Sequence, residues 1–269
     1  MAKKKKIQGT KEWSDESRNC ITGCRHNCRY CYAKSNAINY WKYVPNKEAW
    51  KEPKVRWKDV RKKQKSINGT IMFPTTHDIT PEFLDPCLTF LKNLLNTGDK
   101  VLIVSKPYVE CIKTICEECA NHKGRILFRF TIGAMDDNIL KYWEPGAPPF
   151  AERFAALKCA FERGFKTSVS IEPMLDSPNV VKLFYKVEPF VNDTIWIGKM
   201  NEIRAGKMSR VDIETAEDEK RVKTIEAGQT DERIHEIYTE LKDEPKVRWK
   251  ESFKEVLGLE LADRPGLDI

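Results

Sequence analysis

Apolar and polar positions along the chain fall into two alternating periods. Short β-rich runs at 18–22, 70–75, 100–105, 125–132, 166–172 and 194–199 predict strands. Stretches with helical spacing at 81–95, 108–122, 150–163 and 179–190 lie between them. Thr80 before Pro81, with Glu82 and Asp85 in the first turn, is a helix start. Strands separated by helices pair in parallel through right-handed connections. The pattern therefore predicts an α/β fold, a partial (β/α)6 TIM-type barrel, with an open doubly wound sheet as the alternative. Either arrangement gathers the residues that follow the strands into one site.

The rest of the chain divides around that core. Residues 1–17 read as a basic N-terminal tail and 18–200 as the barrel, with an insertion at 40–65 rich in aromatic and basic side chains. Residues 201–269 read as a C-terminal extension packing on the core, with helices over 231–242 and near 249–257. The heptapeptide Glu-Pro-Lys-Val-Arg-Trp-Lys occurs at both 52–58 and 244–250, too few copies for a solenoid.

Composition narrows the class. The 269 residues are 41% hydrophobic, enough for a sizeable core, and no apolar run is long enough to span a bilayer. The first residues lack the apolar stretch of a signal peptide, so a cytoplasmic location with no membrane partner is expected. There, nine cysteines argue for thiols or metal ligands rather than disulfides. The net charge of +7 is uneven: residues 1–65 hold 19 basic and 6 acidic side chains, net +13, leaving a net of −6 for the remainder. A basic front suits an anionic partner, nucleic acid above all, though a solvated surface has the same composition.

The sharpest signal is the run from Gly23 to Ala33. Cys24, Cys28 and Cys31 stand with three and then two residues between them, after the first expected strand. Three thiolates so spaced can each bind one iron of a four-iron cluster, leaving the fourth iron open. The competing reading is a structural zinc site that adds Cys20, although zinc ligands usually come as two separated knuckles.

The loop, with Tyr30 before its last cysteine, resembles that of the radical S-adenosylmethionine (radical SAM) superfamily. Gly-Cys-x-His-x-Cys-x-Tyr-Cys-Tyr-Ala over 23–33 is similar to the branch containing spore photoproduct lyase. So are Thr131-Ile132-Gly133, Glu144-Pro145-Gly146-Ala147-Pro148-Pro149 with Glu152-Arg153, Ser170-Ile171-Glu172-Pro173, and the Leu-x-x-Ser-Lys run ending at Lys106. The resemblance covers roughly 19–200 and implies a [4Fe-4S] cluster on Cys24, Cys28 and Cys31. It also implies reductive cleavage of S-adenosylmethionine (SAM) to a 5′-deoxyadenosyl radical, fed by an electron donor such as flavodoxin or ferredoxin. Carried over by position, Tyr30 and Tyr32 would lie by the adenosine, and Thr76 and Lys106 would bind the polar end of SAM. Thr131 would reach the ribose or carboxylate, and Glu172 a ribose hydroxyl or the substrate. One departure concerns the substrate. Spore photoproduct lyase has a hydrogen-donating cysteine beside the residue corresponding to Thr76, where this chain has Thr75. Repair of a thymine dimer by that route is therefore not expected.

Weaker signals remain open at this level. Cys111, Cys116 and Cys119, with His122 beyond them, read as buried thiols more readily than as a second metal site. His77 and Asp78 fit either acid–base work or, for Asp78 and Thr80, helix capping. Lys199, Asn201 and Glu202 follow the sixth strand and belong at the same mouth. The aromatics of 40–65, interleaved with cations, fit base stacking and phosphate contact, or packing on the barrel. Three functions follow: a radical SAM enzyme acting on nucleic acid, the same chemistry on a protein, peptide or metabolite, and a zinc-stabilised nucleic-acid-binding module without catalysis.

Overall fold

The computed structural model describes residues 7–204, 210–211 and 213–266. Seven strands form one all-parallel sheet: β1 (Glu16–Ser17), β4 (Thr70–Met72), β5 (Lys100–Ser105), β6 (Ile126–Thr131), β7 (Lys166–Ile171), β8 (Ile195–Ile197) and β9 (Val247–Trp249). β2 (Ile21–Thr22) and β3 (Lys54–Val55) pair antiparallel as a separate ribbon. In space the seven follow chain order, β1-β4-β5-β6-β7-β8-β9. A doubly wound sheet must reverse its strand order, so this succession excludes that alternative and leaves the partial barrel.

Two expectations are corrected at the barrel's edges. The first barrel strand is β1, ahead of the expected run at 18–22, whose end instead forms β2. Of the expected tail, residues 1–6 lie outside the described residues, while 7–17 contribute a 3-10 turn at Gly9–Glu12 and then β1. At the other edge, β9 comes from the second heptapeptide copy and adds a seventh strand next to β8. Polar residues flank its apolar Val247 and Trp249, so sequence periodicity alone hid it. The first copy forms β3 and starts the helix Trp57–Arg61, so both copies fold as strand then helix. Lys58 is exposed, whereas its counterpart Lys250 is fully buried.

The strands are rich in Val, Ile and Phe and buried on both faces, as a helix-covered parallel sheet requires. Helices Leu84–Leu95, Val109–Glu118, Phe150–Glu162 and Val180–Val187 cover the outside. The helices Asp137–Trp143 and Ala216–Ala227 were not legible in the pattern, the second because charged residues outnumber its few apolar ones.

Inside the barrel, Trp13 and Trp196 meet edge to face at 5.7 Å, and the buried guanidinium of Arg129 lies over both rings. The open side between β1 and β9 is bridged by Lys250, whose Nζ donates to Gly9 O at 3.0 Å and pairs with Glu12. Glu251 N donates to Glu12 Oε1 at 2.9 Å across the same seam. Among the described residues, no helix is long and apolar enough to cross a membrane.

Candidate active site

The carboxyl ends of the strands open into a cavity of about 640 Å³. Its wall includes Cys24, Cys28 and Cys31, and no other cysteine among the described residues. Tyr30 and Tyr32 line it from the same loop, Thr76 from beyond β4, and Lys106 from beyond β5. Thr131 closes β6 and Glu172 follows β7 on the same wall. The residues that the resemblance assigns to the cluster and to SAM thus face one space, joined by His77, Asp78 and, after β8, Lys199, Asn201 and Glu202.

The cysteine loop is held from two sides. Cys24 N donates to Trp50 O at 3.0 Å, and a Cβ on Gly23 (φ 89°) would stand 2.6 Å from that oxygen. From the other side Gly146 N donates to His26 O at 3.0 Å and Arg29 N to Trp143 O at 2.8 Å. A Cβ on Gly146 would meet Arg25 O at 2.2 Å, so only glycine permits this approach. The Glu-Pro-Gly-Ala-Pro stretch is therefore the outer clamp of the loop. Its Glu144 is fully buried, pairs with Arg153 at 2.5 Å, accepts from the Tyr30 hydroxyl and lies 4.0 Å from Lys106 Nζ. Burial opposes ionisation of Glu144, but Arg153 and Lys106 together outweigh it and hold the carboxyl below its ordinary range. Burial likewise opposes the charge on Lys106, and Cys28, Glu144 and Asp78 more than restore it.

Asp78 ties the loop to the barrel. It accepts from His26 Nδ1 at 2.9 Å, Ser105 Oγ at 2.6 Å and Lys106 N at 2.7 Å. Burial works against its charge, and His26, Lys106 and Ser105 prevail, leaving the carboxyl well below the usual range. Neither Asp78 nor Thr80 caps the helix that follows, contrary to the capping expectation. His77 is buried with both ring nitrogens engaged: Nε2 accepts from Cys20 N at 3.3 Å, and Nδ1 donates to Asp78 O at 3.1 Å. With both nitrogens held by backbone groups, the imidazole is placed for structure rather than for general-base work.

Asn19 was missed by sequence reasoning. Its Oδ1 accepts from Thr75 N and Thr76 N at 2.8 and 2.9 Å, and Tyr32 donates to Thr75 O at 2.6 Å. Glu144 and Arg153 lie on different elements, so nothing local in the sequence shows their pairing. Glu172 does not cap a helix; it lies 3.5 Å from Lys250 Nζ.

The donor set fits an iron–sulfur cluster. Burial pushes the Cys28 thiol up to about 12, and the Cys24 thiol is also raised, first by burial and then by Asp78 and the neighbouring thiols. Buried thiols that resist ionisation on their own become good ligands once a cationic centre is among them, and Cys31 lines the same wall beside these two. The four-cysteine zinc site does not form, because Cys20 is buried beside His77 and off the cavity wall. Cys111, Cys116 and Cys119 are buried free thiols, and His122 turns instead to Arg125.

The match to the family model described as the radical SAM superfamily spans residues 19–178. The chain belongs to the radical SAM superfamily. Membership makes it an enzyme of the radical SAM type, with SAM and an iron–sulfur cluster as its cofactors. An uncharacterised protein of Methanocaldococcus jannaschii, MJ0683, is 28% identical over 182 residues, covering 65% of this chain and 66% of that protein. Among solved structures, Streptococcus suis SuiB bound to S-adenosylmethionine is similar, with a TM-score of 0.53 at 13% identity, covering 94% of this chain and 54% of SuiB. A spore photoproduct lyase variant with bound AdoMet and dinucleoside spore photoproduct matches with a TM-score of 0.50 at 14% identity, covering 86% of this radical SAM chain and 74% of the lyase. At these identities the two structures speak for the fold alone. This chain thus spans just under two thirds of MJ0683 and about half of SuiB.

Proposed function

We propose that this chain holds a [4Fe-4S] cluster on Cys24, Cys28 and Cys31 and cleaves SAM there to generate a radical that abstracts hydrogen from a nucleic acid. The observation that carries the chemistry is the convergence of these thiols, and no others among the described residues, with Lys106, Thr76 and Thr131 on one cavity. When bound, the reduced cluster supplies one electron to the sulfonium of SAM, giving methionine and the 5′-deoxyadenosyl radical. The chain's own residues bind and orient. Lys106, kept cationic by Glu144 and Asp78, is a point charge for the methionyl carboxylate. Tyr30, anchored on Glu144, and Tyr32, anchored on Thr75 O, present fixed rings beside the thiols for the adenine. Thr76 and Thr131 offer hydroxyls from beyond β4 and from the end of β6, on either side of β5, and Glu172 an acceptor across the cavity.

The nucleic-acid reading rests on charge. Its supports are the net +13 of residues 1–65 and the exposed cations of 40–65 beside the cysteine loop. The fold itself does not choose, since SuiB has also been captured with its precursor peptide SuiA. We place the protein in a reducing cytoplasm, in keeping with nine free cysteines, and assign the electron to a flavodoxin- or ferredoxin-type donor. The test is the salt dependence of oligonucleotide binding by the reconstituted protein. A steep fall of log K with log salt is expected, and a flat line contradicts a phosphate-lined approach.

A further inference from the structure

The segment 40–65 has two faces that behave differently. Its inner face is fixed: Val44 and Trp50 are buried in a cluster with Cys24, Ala33 and Ala37, and Trp50 O receives the Cys24 amide. Its outer face carries Tyr40, Trp41, Tyr43 and Trp57, which are 69, 55, 51 and 50% exposed. They are four of the five large hydrophobic side chains exposed among the described residues. Such a concentration within one segment marks a surface made to be covered.

The rings are arranged. Trp41 and Tyr43 are near-parallel, 18° apart with centroids at 6.1 Å, and Tyr40 meets Trp41 edge to face at 6.0 Å. Arg61 lies over the Trp57 ring at 5.2 Å. Burial raises the Tyr43 phenol's pKa, opposed by Arg56 and aided by Cys31. The charges around the rings are unbalanced. The segment's three acids are each matched: Glu48 by Lys51, Glu52 by Arg25 and Asp59 by Arg56. Lys42, Lys54, Lys58, Lys62, Lys63 and Lys65 are exposed and form no ion pair among the described residues.

We propose that this face is a stacking platform for single-stranded nucleic acid, whose unpaired bases lie on Trp41, Tyr43 and Trp57 while the surplus lysines follow the phosphates. The inference rests on the nucleic-acid reading above and narrows it. Aromatic rings take the faces of unstacked bases, which a duplex keeps covered, and cations beside them take the backbone. An apolar protein partner would leave six unmatched lysines facing it, whereas a polyanion neutralises them. The inner side of the same segment packs on Tyr32 and Cys31 through Val44 and Trp50, so a strand held on its outer side runs near the mouth in which the radical forms. It binds and positions; it takes no part in the hydrogen transfer.

The test uses the full cluster-loaded chain, held anaerobically, with fluorescently labelled oligothymidylate, oligouridylate and a mixed-sequence duplex of equal length. Expected are tighter binding of the single strands than of the duplex and quenching of tryptophan emission. Replacing both rings in a Trp41→Ala, Tyr43→Ala variant should weaken single-strand binding roughly tenfold to a hundredfold, with the duplex little changed. A Trp41→Phe, Tyr43→Phe variant should restore most of the loss, since a ring face is what is needed. Equal loss from single strand and duplex, or none from either, overturns the platform yet leaves the nucleic-acid reading intact if binding stays salt-dependent. No binding of any strand by the unmodified protein overturns both.

Discussion

The carboxylate of Glu144 and the guanidinium of Arg153 form a fully buried ion pair at 2.5 Å directly behind the cysteine loop. Through its hydroxyl, Tyr30 hangs on the same carboxylate, so the ring beside the thiols is positioned by a charge pair that solvent does not reach. Arg153→Met should therefore destabilise the apo-protein by about 3–5 kcal/mol, the cost of removing one partner of a buried ion pair. Urea unfolding checks this, and a change of under about 1 kcal/mol would show that the pair does not hold the site.

Lys106 stands between that pair and the cavity. Removing its ammonium in Lys106→Ala should weaken SAM binding roughly tenfold to a hundredfold, the worth of a hydrogen bond between charged groups. Calorimetry on the reconstituted protein measures it, and an unchanged affinity removes Lys106 from the SAM site.

Gly146 tests the clamp. Gly146→Ala places a methyl 2.2 Å from Arg25 O, a backbone atom that must move with the loop. The variant should keep its far-ultraviolet circular dichroism but lose most of the iron retained after reconstitution and desalting. Full iron loading would mean that the loop tolerates displacement.

Two buried glutamates should act on stability with opposite signs of pH dependence. Glu144 is held below its ordinary range, so its contribution is complete above about pH 4.3, the unfolded value, and falls away in acid. Glu12 is pushed up to about 8, chiefly by burial, against the pull of Lys250 and with the push of Glu251. A carboxyl raised in the folded state favours folding below the unfolded value and loses that contribution as pH rises towards 8. Glu12, Glu172 and Glu251 share the single ammonium of Lys250. Glu12→Gln should flatten the decline in unfolding free energy between about pH 4.5 and 8. A slope equal to that of the unmodified chain refutes the assignment.

How far the sequence carried the reading depended on distance along the chain. The cysteine loop was legible because its chemistry is local, three thiols within eight residues. The strand-end residues Thr76, Lys106, Thr131 and Glu172 were legible because a parallel sheet sends its strand ends to one side. Lys250 was not, since β9 is short and its burial depends on Glu12, far away in sequence. Nor was Asn19, a polar residue whose only signal is its contact with Thr75 and Thr76 across the loop. The insertion was ambiguous for a physical reason: its aromatics divide, Trp50 inward and Trp41, Tyr43 and Trp57 outward, and composition cannot sort them.

The central claim is that Cys24, Cys28 and Cys31 hold the cluster at which SAM is cleaved. It is tested most directly by reconstituting the chain anaerobically with iron and sulfide, adding SAM and a strong reductant, and quantifying 5′-deoxyadenosine. The unmodified protein should form it, and Cys28→Ala, with its fold retained, should form none above background. Cleavage undiminished in Cys28→Ala, or no 5′-deoxyadenosine from the fully loaded unmodified protein, would contradict the account.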